Sequence, residues 1–178
     1  VYVYAELDAK PARAGAFVGD AADFTQAATK DSNRAVVLAF APEARRVRMR
    51  YGISYISVEQ AKRNLESEVR DFDLERLAKQ ARAEWNDALG KVQVEGGTAD
   101  ERTVFYTALY RCYERMACIS EDGRYFSAWD GQVHEDGGTP FWTDDWTWDT
   151  YRAMHPLTAL LHPAAESEKL SSYIRMWE

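Results

Sequence analysis

The spacing of apolar positions changes character three times along this chain, and each change marks a boundary. Over residues 1–57 the pattern is that of strands. Residues 1–7 mix aromatic and β-branched side chains, and Pro11, Gly15 and Gly19 punctuate the stretch after them. Residues 35–40 form an apolar run of buried-strand length, closed by Pro42. Residues 47–57 alternate with period two, which predicts a strand with one wet face, and the basic positions at Arg45, Arg46, Arg48 and Arg50 read as solvated. Three or four strands without an intervening helix predict part of an antiparallel sandwich.

At Ser57 the period becomes helical. Ser57-Val58-Glu59-Gln60 has the form of a capping box, the hydroxyl serving one orphan amide and Gln60 reaching back, and it predicts a helix to about residue 68. Asp73 is placed to cap a second helix. In it Leu74, Leu77, Ala78, Ala81, Trp85, Ala88 and Leu89 share one stripe, Glu75, Arg76, Lys79, Arg82 and Asp87 lie opposite, and Gly90 ends the run. Trp85 is thereby assigned to structure. These two helices predict a connector leaving the β region. Thr98-Ala99-Asp100-Glu101 is a second capping box. Its helix is apolar on most sides, with Val104, Phe105, Ala108, Leu109, Cys112 and Met116 on one stripe and Tyr106, Tyr110 and Tyr113 on another. That profile predicts a helix buried between neighbours, as in a helical toroid.

From Ile119 to Trp148 the helical period lapses. Ser120-Glu121-Asp122-Gly123, Asp130-Gly131 and Glu135-Asp136-Gly137-Gly138-Thr139-Pro140 are turn signals around short aromatic segments such as Arg124-Tyr125-Phe126. Asp149 or Thr150 then opens a helix whose Ala153, Leu157, Leu160 and Leu161 face inward. Pro156 predicts a break near Arg152, and Pro163 closes the helix. Residues 171–178 read as helix again.

Composition narrows the classes. A content of 46% hydrophobic and 13% aromatic residues supports a packed core rather than disorder. The net charge of −7, with no dense Lys/Arg cluster, argues against nucleic acid as a partner. No run of about 18 apolar residues exists, so no membrane span is predicted. Cys112 and Cys118 would lie on nearly opposite faces of one continuous helix, so a disulfide requires the helix to end before Cys118, and free buried thiols are favoured. Neither has a His or Asp at metal-ligand spacing, which argues against zinc. The first residues read as mid-strand and the last as uncapped helix, which predicts an internal segment of a longer protein.

The chemistry concentrates in residues 141–157. Trp142, Trp146 and Trp148 fall within seven residues, interleaved with Asp144, Asp145 and Asp149 and followed by Arg152. Aromatic faces pack against the C–H side of a sugar ring while carboxylates fix its hydroxyls, so the combination suits a hydroxyl-rich ligand. The same residues also suit lid packing by the indoles and helix capping by the aspartates.

Several segments together resemble glycoside hydrolase family 92, the calcium-dependent exo-acting α-mannosidases. They are Tyr2-Val3-Tyr4-Ala5-Glu6, the run from Ile53 through Ser57-Val58-Glu59-Gln60 to Leu65, Phe105-Tyr106-Thr107-Ala108-Leu109-Tyr110, and Trp148-Asp149-Thr150-Tyr151-Arg152-Ala153 with His155-Pro156-Leu157. The chain departs from the usual pattern at Asp145-Trp146-Thr147, where a Phe-Ser-Leu-like run is more typical. The resemblance implies a multi-domain β + α architecture. Residues 1–57 would end an N-terminal antiparallel β-sandwich, 58–97 would form a helical linker, and 98–178 would begin an (α/α)6 catalytic barrel. It implies a secreted or cell-surface hydrolase, an inverting exo-α-mannosidase that removes terminal α-linked mannose from glycans. Asp149 would bind mannose hydroxyls, with Trp148 and Arg152 in support. Catalytic acid, base and calcium ligands are expected outside this segment, so no catalytic or metal residue is assigned within it. The expected partners are a mannose-containing glycan and the remainder of the same polypeptide. Alternatives are a mannosyl-phosphodiester hydrolase of the same family and a non-catalytic carbohydrate-binding protein.

Overall fold

The alternation over residues 49–54 does make a strand, but its apolar side is the uncovered one. The computed structural model describes residues 1–18, 21–25 and 35–177. In it β1 (Tyr2–Leu7) pairs antiparallel with β5 (Met49–Ser54), setting Tyr4 opposite Gly52 and Glu6 opposite Arg50. The first helix, α1 (Val58–Glu68), packs on the face carrying Gly52 and Ser54, which are both buried. Met49, Tyr51, Ile53 and Val3 point the other way and stay exposed. Period-two alternation says that two faces differ; it does not say which one is covered. Arg50 corrects the expectation of a solvated basic face. Its side chain is only 14% exposed, its Nε donates to Glu6 Oε2 at 3.0 Å, and it also bonds the Val69 carbonyl. Arg50 holds the Glu6 carboxyl below the usual carboxylate range.

A second sheet joins β2 (Arg13–Val18), β3 (Ala21–Asp23) and β4 (Val36–Ala39) in the order β3-β2-β4. Gly15, expected to mark a turn, lies inside β2, and Gly19 lies outside the described residues. The strand at β4 is where the apolar run predicts it, but Val36 is 73% exposed rather than buried. Among the described elements no helix makes an extensive contact with this sheet.

All three predicted N-caps form. Ser57 Oγ accepts from Gln60 N at 3.1 Å, Asp73 Oδ1 accepts from Arg76 N at 2.9 Å to start α2 (Leu74–Leu89), and Thr98 with Glu101 completes a reciprocal capping box on α3 (Ala99–Arg111). Gln60 does not reach back as expected. It is fully buried, donates to Asp122 Oδ2 at 2.8 Å and Asn64 Oδ1 at 3.0 Å, and accepts from Arg124 at 2.9 Å. Ser54 Oγ takes the Ser57 amide instead, at 3.2 Å. A charged partner brought in by a distant turn has displaced the local one.

Two further corrections concern α2 and α3. No residue of α2 is buried, and Trp85 is 38% exposed, leaning on Tyr110 and Tyr113 at centroid distances of 4.6 and 5.8 Å. On α3 only Leu109 is buried, and the helix stops at Arg111, so Met116 reaches the core from the following turn. Cys112 caps that helix and Cys118 lies on a strand; both thiols are free, one half-covered and one exposed rather than buried.

The turn signals of the middle region make two small antiparallel pairs. One joins β6 (Ala117–Cys118) to β9 (Trp142–Thr143), and the other is a hairpin of β7 (Arg124–Ser127) and β8 (Gln132–Glu135). The turn before β7 reaches back to the first layer. Glu121 accepts from Tyr55 N at 2.8 Å and from Asn64 Nδ2 at 2.7 Å, while Asp122 takes Gln60 and Arg63. The chain ends in three helices, α4 (Thr147–Thr150), α5 (Met154–Leu161) and α6 (Pro163–Trp177). The break expected near Arg152 separates α4 from α5, and Pro163 opens α6, where its missing amide costs nothing. Glu178 lies outside the described residues. The element order, antiparallel strands and then helices, is the one the sequence predicts.

Candidate functional site

α4 is a single turn, and residues three apart on a helix share a face. Thr147 and Thr150 therefore point together in one direction, and Trp148 and Asp149 lie off that face. Trp148 is 78% exposed and Asp149 is exposed. The helix opens at Trp146, which supplies no side-chain cap, so Asp149 is not a cap. Its carboxylate has no hydrogen-bond or ion-pair partner among the described residues. Arg152 sits in the break after α4. Its Nε donates to Tyr151 Oη at 2.7 Å, and its guanidinium carbon lies 5.7 Å from the Trp148 ring centre and 5.4 Å from that of Tyr151. The result is an outward edge of two aromatic rings, a cation and an uncommitted carboxylate.

The tryptophans thus divide. Trp148 lies on the edge. Trp146 is 59% exposed, with the Arg115 guanidinium 4.4 Å from its ring and Arg115 paired to Asp144 at 2.6 Å. Trp142 belongs to the frame, its indole N–H donating to Glu168 Oε2 at 3.0 Å and Lys169 Nζ 5.3 Å from its ring.

Beneath the edge lies a polar cluster. The Asp145 side chain is 2% exposed, and its Oδ2 accepts from Thr150 Oγ1 at 3.1 Å, Thr147 Oγ1 at 3.3 Å and Tyr173 Oη, and faces His155 Nε2 at 3.1 Å. His155 Nδ1 faces Glu166 Oε1 at 2.7 Å. Burial pushes the Asp145 carboxyl up, but the hydrogen bonds from Tyr173, His155 and Thr150 outweigh it and leave it below the ordinary range. Burial and the bond to Asp145 push the Tyr173 phenol up to about 12. Burial lowers Lys169, opposed by the nearby Glu166 and Asp145. Asp145 Oδ1 and Glu166 Oε2 are buried without a partner among the described residues.

A cavity of about 310 Å³ lies between α3, α5 and α6, lined by Leu109, Met116, Leu157 and His162 among others. No carboxylate lines it, so it lacks the paired acids that glycoside chemistry uses. Among the described residues no group of three or more His, Cys, Asp or Glu is placed to hold a metal ion. Asp145 and Glu166 are turned onto His155, and these residues do not make a calcium site.

Of the predicted site residues, the structure sets Trp148 and Arg152 against one another and Asp149 in the turn between them. The cluster of Asp145, His155, Glu166, Lys169 and Tyr173 was not predicted. His155 stands in the family-like motif, and Asp145 is the point of departure from it. Tyr173 and Glu166 carry no local signal, being 28 and 11 residues from their partners.

A model of the glycosyl hydrolase family 92 catalytic domain matches residues 60–178. Among solved structures, the family GH92 inverting mannosidase BT2199 from Bacteroides thetaiotaomicron VPI-5482 is 31% identical with a TM-score of 0.82, over 97% of this chain and 24% of that one. The gh92 family glycosyl hydrolase ccman5 is 27% identical with a TM-score of 0.80, over 96% of this chain and 23% of that one. The family GH92 alpha-mannosidase BT3965 from Bacteroides thetaiotaomicron shares the fold at 22% identity, with a TM-score of 0.80 over 96% of this chain and 24% of that one. The chain therefore spans about a quarter of the length of these solved relatives. No curated protein matches it.

Proposed function

Because this chain belongs to glycosyl hydrolase family 92, we propose that it forms one wall of the substrate site of an inverting exo-α-mannosidase acting on terminal α-linked mannose of glycans. Asp149 accepts hydrogen bonds from mannose hydroxyls, Trp148 offers its face to the C–H side of the sugar, and Arg152 holds the edge against Tyr151 while keeping its outer guanidinium donors for ligand oxygens. The observation that carries this reading is the exposed, uncommitted carboxylate of Asp149, which stands in the chain between the exposed Trp148 and Tyr151. A charged acceptor without an internal partner is free to bond a ligand.

Inversion needs two carboxyl groups roughly 6.5–9.5 Å apart, one protonating the leaving oxygen and one activating a water on the opposite ring face. Both belong to the remainder of the polypeptide in this reading, as do the calcium ligands. In the same reading residues 1–57 close a sandwich, 58–97 link, and 98–178 begin an (α/α)6 barrel. The open face of β1 and β5, with Val3, Tyr51 and Ile53 exposed, is where the rest of the sandwich packs. The enzyme is secreted or held at the cell surface.

The test is Asp149→Asn in the full-length enzyme. Asp149 caps no helix, so the melting temperature stays at the parent's. Turnover of an α-mannoside falls roughly 30- to 1000-fold in kcat/KM, the range for a charge-assisted contact in a desolvated site. Activity within threefold of the parent removes Asp149 from the site.

A further inference from the structure

The sugar-facing edge stands on a helix too short to hold itself. A four-residue turn carries too few internal hydrogen bonds to repay the ordering of its backbone, and α4 has no side-chain cap and is cut off from α5 by the break at residues 151–153. Its shape must come from outside. The inward face supplies the means, since the hydroxyls of Thr147 and Thr150 both lie within hydrogen-bond distance of a single oxygen, Asp145 Oδ2, at 3.3 and 3.1 Å. Tyr173 from α6 and His155 from α5 converge on the same oxygen, and Glu166 from α6 backs His155 at 2.7 Å. Asp145 Oδ1, also buried, has no partner among the described residues. Every polar contact of this carboxylate is therefore made through one oxygen, and every one of them leads to the edge turn or to the two helices behind it.

We propose that Asp145 is a positioning residue that pins the α4 turn through Thr147 and Thr150, with His155, Tyr173 and Glu166 holding the pin to α5 and α6. The proposal rests on the reading of Asp149 as a mannose ligand, because the pin acts by fixing where Asp149 and Trp148 point. Thr150 Oγ1 also lies 3.2 Å from the Trp146 carbonyl, a local acceptor on the same turn. Competition between these two acceptors makes Thr150 the most informative position to change.

The experiment is a pair of substitutions in the full-length enzyme, assayed for α-mannoside kcat/KM well below the melting temperature. Thr150→Val keeps the buried shape and removes the hydroxyl; Thr150→Ser keeps the hydroxyl and removes the methyl. Pinning predicts a loss of about 10-fold for Val, the scale of a small misplacement of a binding group, and activity within threefold of the parent for Ser. A packing role predicts the reverse order. Tyr173→Phe, which deletes only a hydroxyl from α6, gives a second arm with the same expected loss of about 10-fold. In an Asp149→Asn background both losses shrink, since one of the two positioned groups is gone, and what remains of them acts through Trp148. Parental kcat/KM for both Thr150→Val and Tyr173→Phe, a loss for Ser as large as for Val, or undiminished losses in the Asp149→Asn background each overturn the pin. A silent Asp149→Asn single variant instead overturns the ligand role, so the two failures are told apart.

Discussion

Gly52 sets how closely α1 approaches the β1–β5 pair, and replacing it tests the packing of the first layer. A Cβ there would lie 2.2 Å from the Ala61 carbonyl oxygen and 2.9 Å from both the amide nitrogen and the Cβ of Leu65. Ordinary contact begins at 3.4 Å, so the Gly52→Ala methyl needs 3.4 − 2.2 = 1.2 Å more room than exists. The main obstruction is helix backbone, which cannot rotate aside, so α1 must lift from the sheet. A gap of that size forfeits about half or more of the dispersion well of every contact it opens. The contacts at risk include Ala61 and Leu65, both essentially fully buried. The expected cost is about 3 kcal/mol, the upper end for overpacking, or roughly 150-fold in the local opening equilibrium. Because the whole enzyme need not melt in one step, the assay is native-state hydrogen exchange of α1 amides in the full-length chain. Gly131→Ala is the control: nothing lies within 4 Å of its Cβ position, and its φ of 71° should cost about 1 kcal/mol, confined to the β7–β8 turn. The reasoning fails if Gly52→Ala changes α1 protection by less than about 1 kcal/mol.

Two other expectations come from the frame behind the edge. Ser172 is fully buried, accepts from Trp142 N at 2.9 Å and donates to the Glu168 carbonyl at 2.9 Å, so Ser172→Ala should cost about 1–2 kcal/mol by stranding the Trp142 amide; faster exchange at that amide is the readout, and unchanged protection would contradict it. The Asp145–Tyr173 pair predicts two edges of pH dependence. Tyr173 stays protonated to about 12, so its contribution to stability is full below the ordinary tyrosine value near 10 and is lost as pH rises through about 12. Asp145 is held below the ordinary value of about 3.9, so its contribution is present above that pH and fades as pH falls through its folded value. Ultraviolet difference titration of the parent against Tyr173→Phe should isolate one late-ionising phenol; a difference centred near pH 10 would contradict the pair.

The helix starts were legible because a cap is a local event: Ser57, Asp73 and Thr98 each bond an amide three residues on. The turn signals around Gly123 and Gly131 were legible for the same reason, since a positive φ restricts which residue can stand there. What escaped depends on tertiary choice. The alternation of β5 was plain, yet only the arrival of α1 decides that Gly52 and Ser54 are inside and Tyr51 and Ile53 outside. Gln60 had a local task available and was taken by Asp122, 62 residues away. The site shows both cases. Trp148, Asp149 and Arg152 were named from a motif, whereas Asp145 was visible only as a departure from it. Its role depends on Tyr173, whose distance along the chain leaves no periodic trace.

The joint between the turn at Glu121-Asp122 and the first layer is made of directed bonds from Tyr55, Gln60, Arg63 and Asn64 to two adjacent carboxylates. A greasy seam adheres without caring much about direction, so two bodies joined by one can slip past each other by an ångström at little cost. Hydrogen bonds weaken steeply as their angles spoil, and a slipped joint would strip the fully buried Gln60 amide of its bonds to Asp122 and Arg124, leaving it only partners on its own helix. The hairpin is therefore keyed to α1 rather than stuck to it. It has one seating, and a change of register there would detach it before it could re-aim anything built further along the chain.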